Sequence, residues 1–167
     1  RVFRMYCELT EEISPQILQD ALDRTMKKYP LFQVVLRKGL FWFYLERRDI
    51  RAVAKEEKNP PCSRLYIPDK KSLLFEVSYY ENRINFEVYH ALTDGTGARN
   101  FLQELVQNYL ILRHPEAGLP YIKTEEKSTF RDHEEDGFSQ YYSSETPKNK
   151  DKNPRAVPLK GAMLRHE

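Results

Sequence analysis

The residues best suited to chemistry lie together at positions 89–97, in the segment Tyr-His-Ala-Leu-Thr-Asp-Gly-Thr-Gly. His90 supplies an imidazole, the side chain that takes up and releases protons most readily near neutral pH. Asp94 follows four positions later and is expected to hold the ring or its loop in place. Gly95 and Gly97 are expected to form a loop that adopts backbone geometries closed to other residues and leaves room for a ligand. The segment therefore predicts a site.

The elements on either side of this segment differ in their apolar period. Residues 72–80 and 83–89 alternate between apolar and polar side chains, which predicts two strands joined at Glu81-Asn82, with Asn82 in the left-handed conformation. From Phe101 to Leu110 the apolar residues recur at helical spacing. Thr96 is the expected cap of that helix. The site should therefore lie where a strand ends and a helix begins.

The first part of the chain predicts a strand, a helix and a hairpin. Residues 2–9 are rich in β-branched and aromatic side chains. Ser14 and Pro15 are typical of a helix start, and Pro30 ends that helix. Residues 31–37 and 40–46 then predict two antiparallel strands joined at Lys38-Gly39. The second of these strands carries aromatic residues on both faces, so we expect it to be covered on both sides, or to line a ligand cavity with one face.

Composition limits the possible function classes. The 167 residues carry 27 Lys and Arg against 25 Asp and Glu, a balance that excludes a strong field for nucleic acid or anionic lipid. The longest apolar run, residues 40–45, is far shorter than the roughly twenty residues that a membrane span needs. Cys7 and Cys62 lack the spacing of a disulfide framework or zinc site, which favours a cytoplasmic location. Because the chain opens at Arg1, we expect it to belong to a longer polypeptide.

The order of elements and the His-x-x-x-Asp-Gly motif at positions 90–95 resemble a known superfamily. The chain is similar to the N-terminal half of chloramphenicol-acetyltransferase-like acyltransferases, nearest to the alcohol acetyltransferase and peptide-synthetase condensation branches. The resemblance implies an α/β fold in two layers, a mixed and largely antiparallel sheet with two main helices. It divides the chain into a half-domain at residues 1–119 and a polar linker or crossover at residues 120–167. A second half-domain or a neighbouring subunit would then close the site.

The same resemblance implies a reaction. His90 would act as general base, taking the proton of an alcohol or amine acceptor while that acceptor attacks an acyl thioester. Coenzyme A or a phosphopantetheine carrier would supply the thioester, with no tightly bound cofactor. Asp94 would fix the loop and the ring through an ion pair. Relatives often carry an arginine where this chain has Gln33, so Arg4, Arg37 or Arg99 is expected to replace it.

Two other functions remain open at this stage. A non-catalytic relative would use the same channel to bind a carrier protein or lipid, and Gln33 is the feature that favours it. Metal hydrolysis would use His90 and Asp94 as ligands, but His114 and His133 show no spacing that completes a ligand set. We therefore expect no metal.

Overall fold

The computed structural model describes residues 1–66 and 72–122, all within one compact unit, Arg1–Thr129. These residues form six strands and two α-helices, with a short 3-10 turn after each helix. In chain order they are β1 (Val2–Glu8), α1 (Pro15–Lys28), the turn Pro30–Phe32, β2 (Val34–Lys38), β3 (Phe43–Arg47), β4 (Lys55–Glu56), β5 (Phe75–Tyr80), β6 (Arg83–Tyr89), α2 (Gly95–Arg113) and the turn Pro115–Ala117.

A four-stranded sheet forms one layer of the fold, in the order β1-β6-β5-β4. Its β1–β6 and β5–β6 pairs are antiparallel, and the short β4 runs parallel to β5. The predicted class of two helices on a mixed, largely antiparallel sheet is therefore confirmed. Strands β2 and β3 form a separate antiparallel hairpin, also as predicted, but they begin at Val34 and Phe43 and are joined by residues 39–42 instead of at Lys38-Gly39.

The hydrophobic core lies between the helices and one face of the sheet. Phe86 on β6 is fully buried and stacks on Phe101 of α2 at 4.5 Å between ring centroids, and Phe32 also stacks on Phe101 at 4.9 Å, with 6.4 Å between the centroids of Phe32 and Phe86. Alternate residues of the strands face this layer because side chains switch faces at each position. The period-2 and helical patterns of the sequence identified Phe86 and Phe101 correctly, whereas neither pattern singled out Phe32, which lies in the turn Pro30–Phe32.

Helix α1 starts and stops where its sequence signals indicate. Pro15 occupies the first turn, and Ile13 and Leu18 are both buried beside the start. Ser14 has extended backbone but makes no side-chain cap; its N–H donates to the Tyr109 hydroxyl of α2 at 2.9 Å instead. A distant residue therefore completes this helix end.

Two local predictions are wrong. In the β5–β6 turn, Glu81 rather than Asn82 has positive φ, at 52°. The Asn82 side chain donates to the Leu9 carbonyl at 2.6 Å and thereby links this turn to the end of β1. Strand β3 exposes side chains on both of its faces, against the expectation that they are covered.

Candidate functional site

The site begins where β6 ends. Tyr89 is the last residue of the strand, and its N–H donates to the Leu74 carbonyl at 2.8 Å. The backbone N–H of His90 donates to the Arg1 carbonyl at 2.7 Å. These two bonds fix the backbone on both sides of the strand end, so the position of His90 is set by the sheet.

The imidazole of His90 is exposed and lies against one aromatic ring. Its centroid is 5.0 Å from that of Phe3 on β1, with the rings tilted by 54°. Neither ring nitrogen has a hydrogen-bond partner among residues 1–66 and 72–122. An imidazole held by ring packing, with both nitrogens open, has the chemical capacity to exchange a proton with a bound substrate.

Asp94 serves as the N-cap of α2. Its Oδ1 accepts a hydrogen bond from the Gly97 backbone N–H at 2.8 Å, which satisfies one of the donors left open at a helix start. The prediction that Thr96 caps this helix is therefore wrong. A carboxylate at this position also interacts favourably with the helix dipole.

None of the three arginines predicted as partners of Asp94 forms an ion pair with it. Arg4 pairs with Glu57 and Glu87, and Arg37 pairs with Glu46. Within the described parts of the chain, neither Asp94 nor Arg99 forms an ion pair. The contact that Asp94 makes there is the helix cap.

Gly95 and Gly97 lie in the first turn of α2, and neither has positive φ, so the expected loop geometry is wrong for both. Gly97 is required for a different reason. A Cβ at this position would lie 2.1 Å from Oγ1 of the buried Thr93, which is far inside van der Waals contact. At Gly95 the nearest atom to such a Cβ is Met5 Cε at 3.9 Å, an ordinary contact. At position 97, the space left by the absent side chain is therefore filled by Thr93 and is not open to a ligand.

A partly buried ionic cluster on the face of the sheet away from the helices was missed from sequence. Arg4 on β1 and Glu87 on β6 are directly opposed in the register and are joined at 2.8 Å. Glu57 accepts from Arg4 at 2.6 Å and from Arg83 at 3.0 Å. The backbone N–H of Cys62, a residue with φ 60°, also donates to Glu87. The cluster ties the irregular segment after β4 to the sheet, and strand alternation could have revealed the Arg4–Glu87 pair once the register was known.

The ionic cluster affects protonation of Glu57. Burial opposes ionisation of this carboxyl, but the hydrogen bonds from Arg4 and Arg83 outweigh that effect and hold the pKa of Glu57 below its ordinary value. Burial likewise lowers the pKa of Arg4, while its bonds to Glu57 and Glu87 raise it above the usual range overall. Both groups are therefore charged at neutral pH.

An apolar groove of about 470 Å³ runs along α2 away from the motif. Arg99 lies at one end, Val106 and Leu110 line the helix side, and Leu119 and Ile122 line the far end. His90 is not among its lining residues. Cys7 also borders the groove as a free thiol, and partial burial raises its pKa above the ordinary value.

The described residues contain no group of three or more His, Cys, Asp or Glu side chains arranged to hold a metal ion. No helix formed by them is long and apolar enough to cross a bilayer. His133, one of the histidines considered as a third ligand, lies outside the described residues. His114 lies at the end of α2, beside Glu11 and Glu116.

Comparison with solved structures identifies the fold. The starter condensation domain of the rhizomide synthetase RzmA superposes with a TM-score of 0.60 at 13% sequence identity, over 84% of this chain and 38% of that one. The chain has the fold of half a condensation domain. A doubly substituted variant of the same domain gives a TM-score of 0.59 at 12% identity over 85% of this chain, and a singly substituted variant gives 0.58 at 11% over the same share.

The extent of this similarity is limited in length and in sequence. The chain spans about two fifths of the condensation domains it matches, 38% or 39% of their length. No family model matches the sequence, and no curated protein matches it. The similarity therefore establishes the fold of the chain, which is that of part of a condensation domain.

Proposed function

We propose that this chain is the catalytic half of an acyltransferase that moves an acyl group from a thioester to an alcohol or amine, with His90 as general base. The observation that carries the proposal is the exposed His90 imidazole, fixed at the end of a strand and four residues before the N-cap of a helix in a condensation-domain fold. The solved structures with the same fold are condensation domains of a synthetase, which favours acyl transfer over metal hydrolysis.

In the proposed reaction, one open nitrogen of His90 accepts the proton of the acceptor hydroxyl or amine. The acceptor's lone pair forms a bond to the thioester carbonyl carbon, the carbon–sulfur bond breaks, and the imidazolium returns its proton to the departing thiolate. The products are an ester or amide and a free thiol, with no acyl-enzyme intermediate. The contact of His90 with Phe3 keeps the ring at the strand end through this exchange.

Asp94 acts as a positioning residue in this proposal. It caps α2 through Gly97 and so holds residues 91–93, the three that join His90 to the cap. This role needs no arginine partner. It is therefore compatible with Gln33, which stands where relatives often carry the arginine that pairs with the motif aspartate. The open N–H groups at the helix start also favour an anionic or carbonyl oxygen nearby.

We further propose that the donor is a coenzyme A or carrier-bound phosphopantetheine thioester and that a second half-domain or neighbouring subunit closes the site. The match to about two fifths of each condensation domain supports the second half. Within the superfamily we place the protein nearest the alcohol acetyltransferases, because Tyr89 stands before His90 where condensation enzymes usually have a second histidine. The alternative is a binding module for a carrier protein or lipid, which keeps the fold and lacks turnover.

The test is thiol release by the full-length protein, followed with a thiol-reactive dye on acetyl-coenzyme A and longer acyl thioesters, against a panel of alcohols and amines. His90→Ala is expected to lower turnover by about 10²–10⁴-fold with folding preserved, since that is the usual contribution of a general base. His114→Ala is the matched control and should retain turnover, because His114 contacts Glu11 and Glu116 at the far end of α2. Turnover unchanged by His90→Ala would reject the base, and thioester binding without turnover in the wild type would establish the binding module.

A further inference from the structure

The β2–β3 hairpin exposes the largest run of apolar side chains in the described structure. Six consecutive residues from Leu40 to Leu45 are all large and apolar, and each exposes between 46% and 86% of its surface. The hairpin is not part of the four-stranded sheet. Exposed apolar runs of this size mark surfaces that a membrane or a protein partner covers.

The base of the hairpin is held by the rest of the protein. Val35 is buried, with 1% exposure, and the N–H of Arg48 donates to the Gln33 carbonyl at 2.9 Å. At the other end, the N–H of Gly39 donates to the Trp42 carbonyl at 2.7 Å and closes the turn. The apolar tip is therefore a defined element on a fixed base.

Both faces of the tip are apolar. Phe43 and Leu45 point to one face of β3 and Tyr44 to the other, since side chains alternate along a strand, and all three are exposed. A flat protein partner would cover only one of these faces. A medium that surrounds the tip on both sides, such as the boundary between lipid headgroups and acyl chains, covers them all, and aromatic rings favour that depth.

The hairpin also carries an excess of positive charge that the balance of the whole chain conceals. Its cations are Arg37, Lys38, Arg47 and Arg48, against the single carboxylate of Glu46. Glu46 pairs with Arg37 and Arg48 at 2.8 Å each. Lys38 and Arg47 are exposed and form no ion pair with any residue the structure describes, which leaves them available to lipid phosphates.

The spacing of charge and apolar surface fits a bilayer interface. From the Arg37–Tyr44 pair, the hairpin extends about three residues to its tip, or roughly 10 Å at the rise of a strand. Apolar faces of interfacial elements insert to roughly 5–10 Å, a depth at which the open backbone edges of the hairpin still meet water. The cations would then lie level with the headgroups.

We propose that residues 37–48 dock on the surface of a bilayer containing anionic phospholipid, with the tip at the acyl-chain boundary and the cations against phosphates. This surface attachment involves no membrane span. It goes beyond the proposed acyl transfer and does not depend on it.

Trp42 makes the proposal directly measurable, because it is the only tryptophan of the chain and lies at the tip. Vesicles of phosphatidylcholine with and without phosphatidylglycerol are added to the full-chain protein. With phosphatidylglycerol present, Trp42 emission should move to shorter wavelength, brominated acyl chains should quench it, and the protein should sediment with the vesicles. Added salt should weaken the binding, since the phosphate contacts are screened.

Substitutions measure separately how much the apolar tip and the cations contribute to vesicle binding. Phe41→Ser keeps Trp42 as the reporter and should weaken binding about tenfold or more through lost apolar burial. Lys38→Gln and Arg47→Gln should each weaken binding about fivefold, the usual effect of one cation near an anionic surface. Tyr6→Ser removes a comparably exposed ring from β1 and should bind as wild type does. His90→Ala should also bind normally, so a failure of the catalytic proposal is distinguishable.

Three results would overturn the proposal. The first is wild-type protein that does not sediment with anionic vesicles. The second is equal weakening of binding by Phe41→Ser and Tyr6→Ser. The third is Trp42 emission already at short wavelength without vesicles and unchanged by them, which would show that a protein surface covers the hairpin instead.

Discussion

Oδ1 of Asp94 accepts a hydrogen bond from the backbone N–H of Gly97 at 2.8 Å, so the carboxylate of the His-x-x-x-Asp-Gly motif caps the helix that follows it. The cap turns the chain from the end of β6 into α2 within a few residues. It thereby fixes the connection that carries His90, and it gives the motif aspartate a local role that needs no ion pair.

The cap should be replaceable by asparagine. Asp94→Ala should lower the free energy of unfolding by about 0.5–2 kcal/mol, whereas Asp94→Asn keeps an acceptor oxygen and should be nearly neutral. Urea denaturation measures both values, and the thiol-release assay should show the same order of activity. Equal damage by the two variants would indicate that the charge of Asp94, rather than its cap, is what the protein uses.

Gly97→Ala should destabilise the protein by about 1–3 kcal/mol, the usual cost of overpacking, because the new methyl would lie 2.1 Å from Thr93 Oγ1. Gly95→Ala is the matched control within the same helical turn. Its methyl meets only Met5 Cε at 3.9 Å, so the change should be neutral or slightly stabilising. Thermal or urea unfolding of the pair provides the test, and a Gly97→Ala protein as stable as Gly95→Ala would contradict the packing.

Arg4→Gln should destabilise the protein by about 1–3 kcal/mol, between the costs of surface and buried ion pairs, because Glu57 and Glu87 lose their shared cation. Arg51→Gln is the control. It breaks the Arg51–Asp23 pair, in which the arginine is 67% exposed, and should destabilise the protein much less than Arg4→Gln does, because solvent screens an exposed pair.

The ionic cluster also predicts a pH dependence. The pKa of Glu57 is lower in the folded protein than its ordinary value. The ion pairs of Glu57 therefore contribute their full stabilisation to the folded state above about pH 4.3, the ordinary pKa of a glutamate. That contribution is lost as the pH falls through the folded pKa. Unfolding measured from pH 6 downward should therefore show a smaller decline in stability for Arg4→Gln than for wild type. Parallel curves would contradict the assigned shift.

Lys28→Met should lower the free energy of unfolding by about 1–3 kcal/mol, because it breaks the Lys28–Glu104 ion pair between α1 and α2. The loss is smaller than for a fully buried pair because Lys28 is half exposed. The substitution leaves the buried Glu104 carboxylate without its cation at 3.0 Å, although Asn108 and Tyr121 still donate to it. Adding Glu104→Gln removes the uncompensated charge and should recover part of the loss. A double-mutant cycle in urea tests the coupling, and strictly additive losses would show that the pair is not coupled.

Several features of the fold could be predicted because local chemistry specifies them. The start of α1 at Pro15, the β5–β6 hairpin and the helical stripe of α2 all follow from apolar period and from residues with restricted backbone. The position of His90 at the end of a strand was predicted for the same reason, since the alternation of β6 stops there. These signals act over a few residues and need no tertiary contact.

Other features required the tertiary structure because they depend on residues distant in sequence. Asp94, rather than the predicted Thr96, caps α2, and the side chain of Thr93 fills the space beside Gly97. Arg4 was directed away from Asp94 because the β1–β6 register places Glu87 opposite it. The sequence shows that residues 40–45 are apolar, but only the tertiary structure shows that they are exposed.

The sequence by itself thus determined the two helices, the longer strands, their order and the imidazole at the end of β6, but not the short β4 or the turn Pro30–Phe32. Local period and backbone restriction are carried by neighbouring residues, so they can be recognised in the chain alone. The tertiary structure decided which charged groups meet, which glycine is sterically required and which apolar surface stays open. Those outcomes depend on strand register and helix packing, which bring together residues as far apart as Arg4 and Glu87.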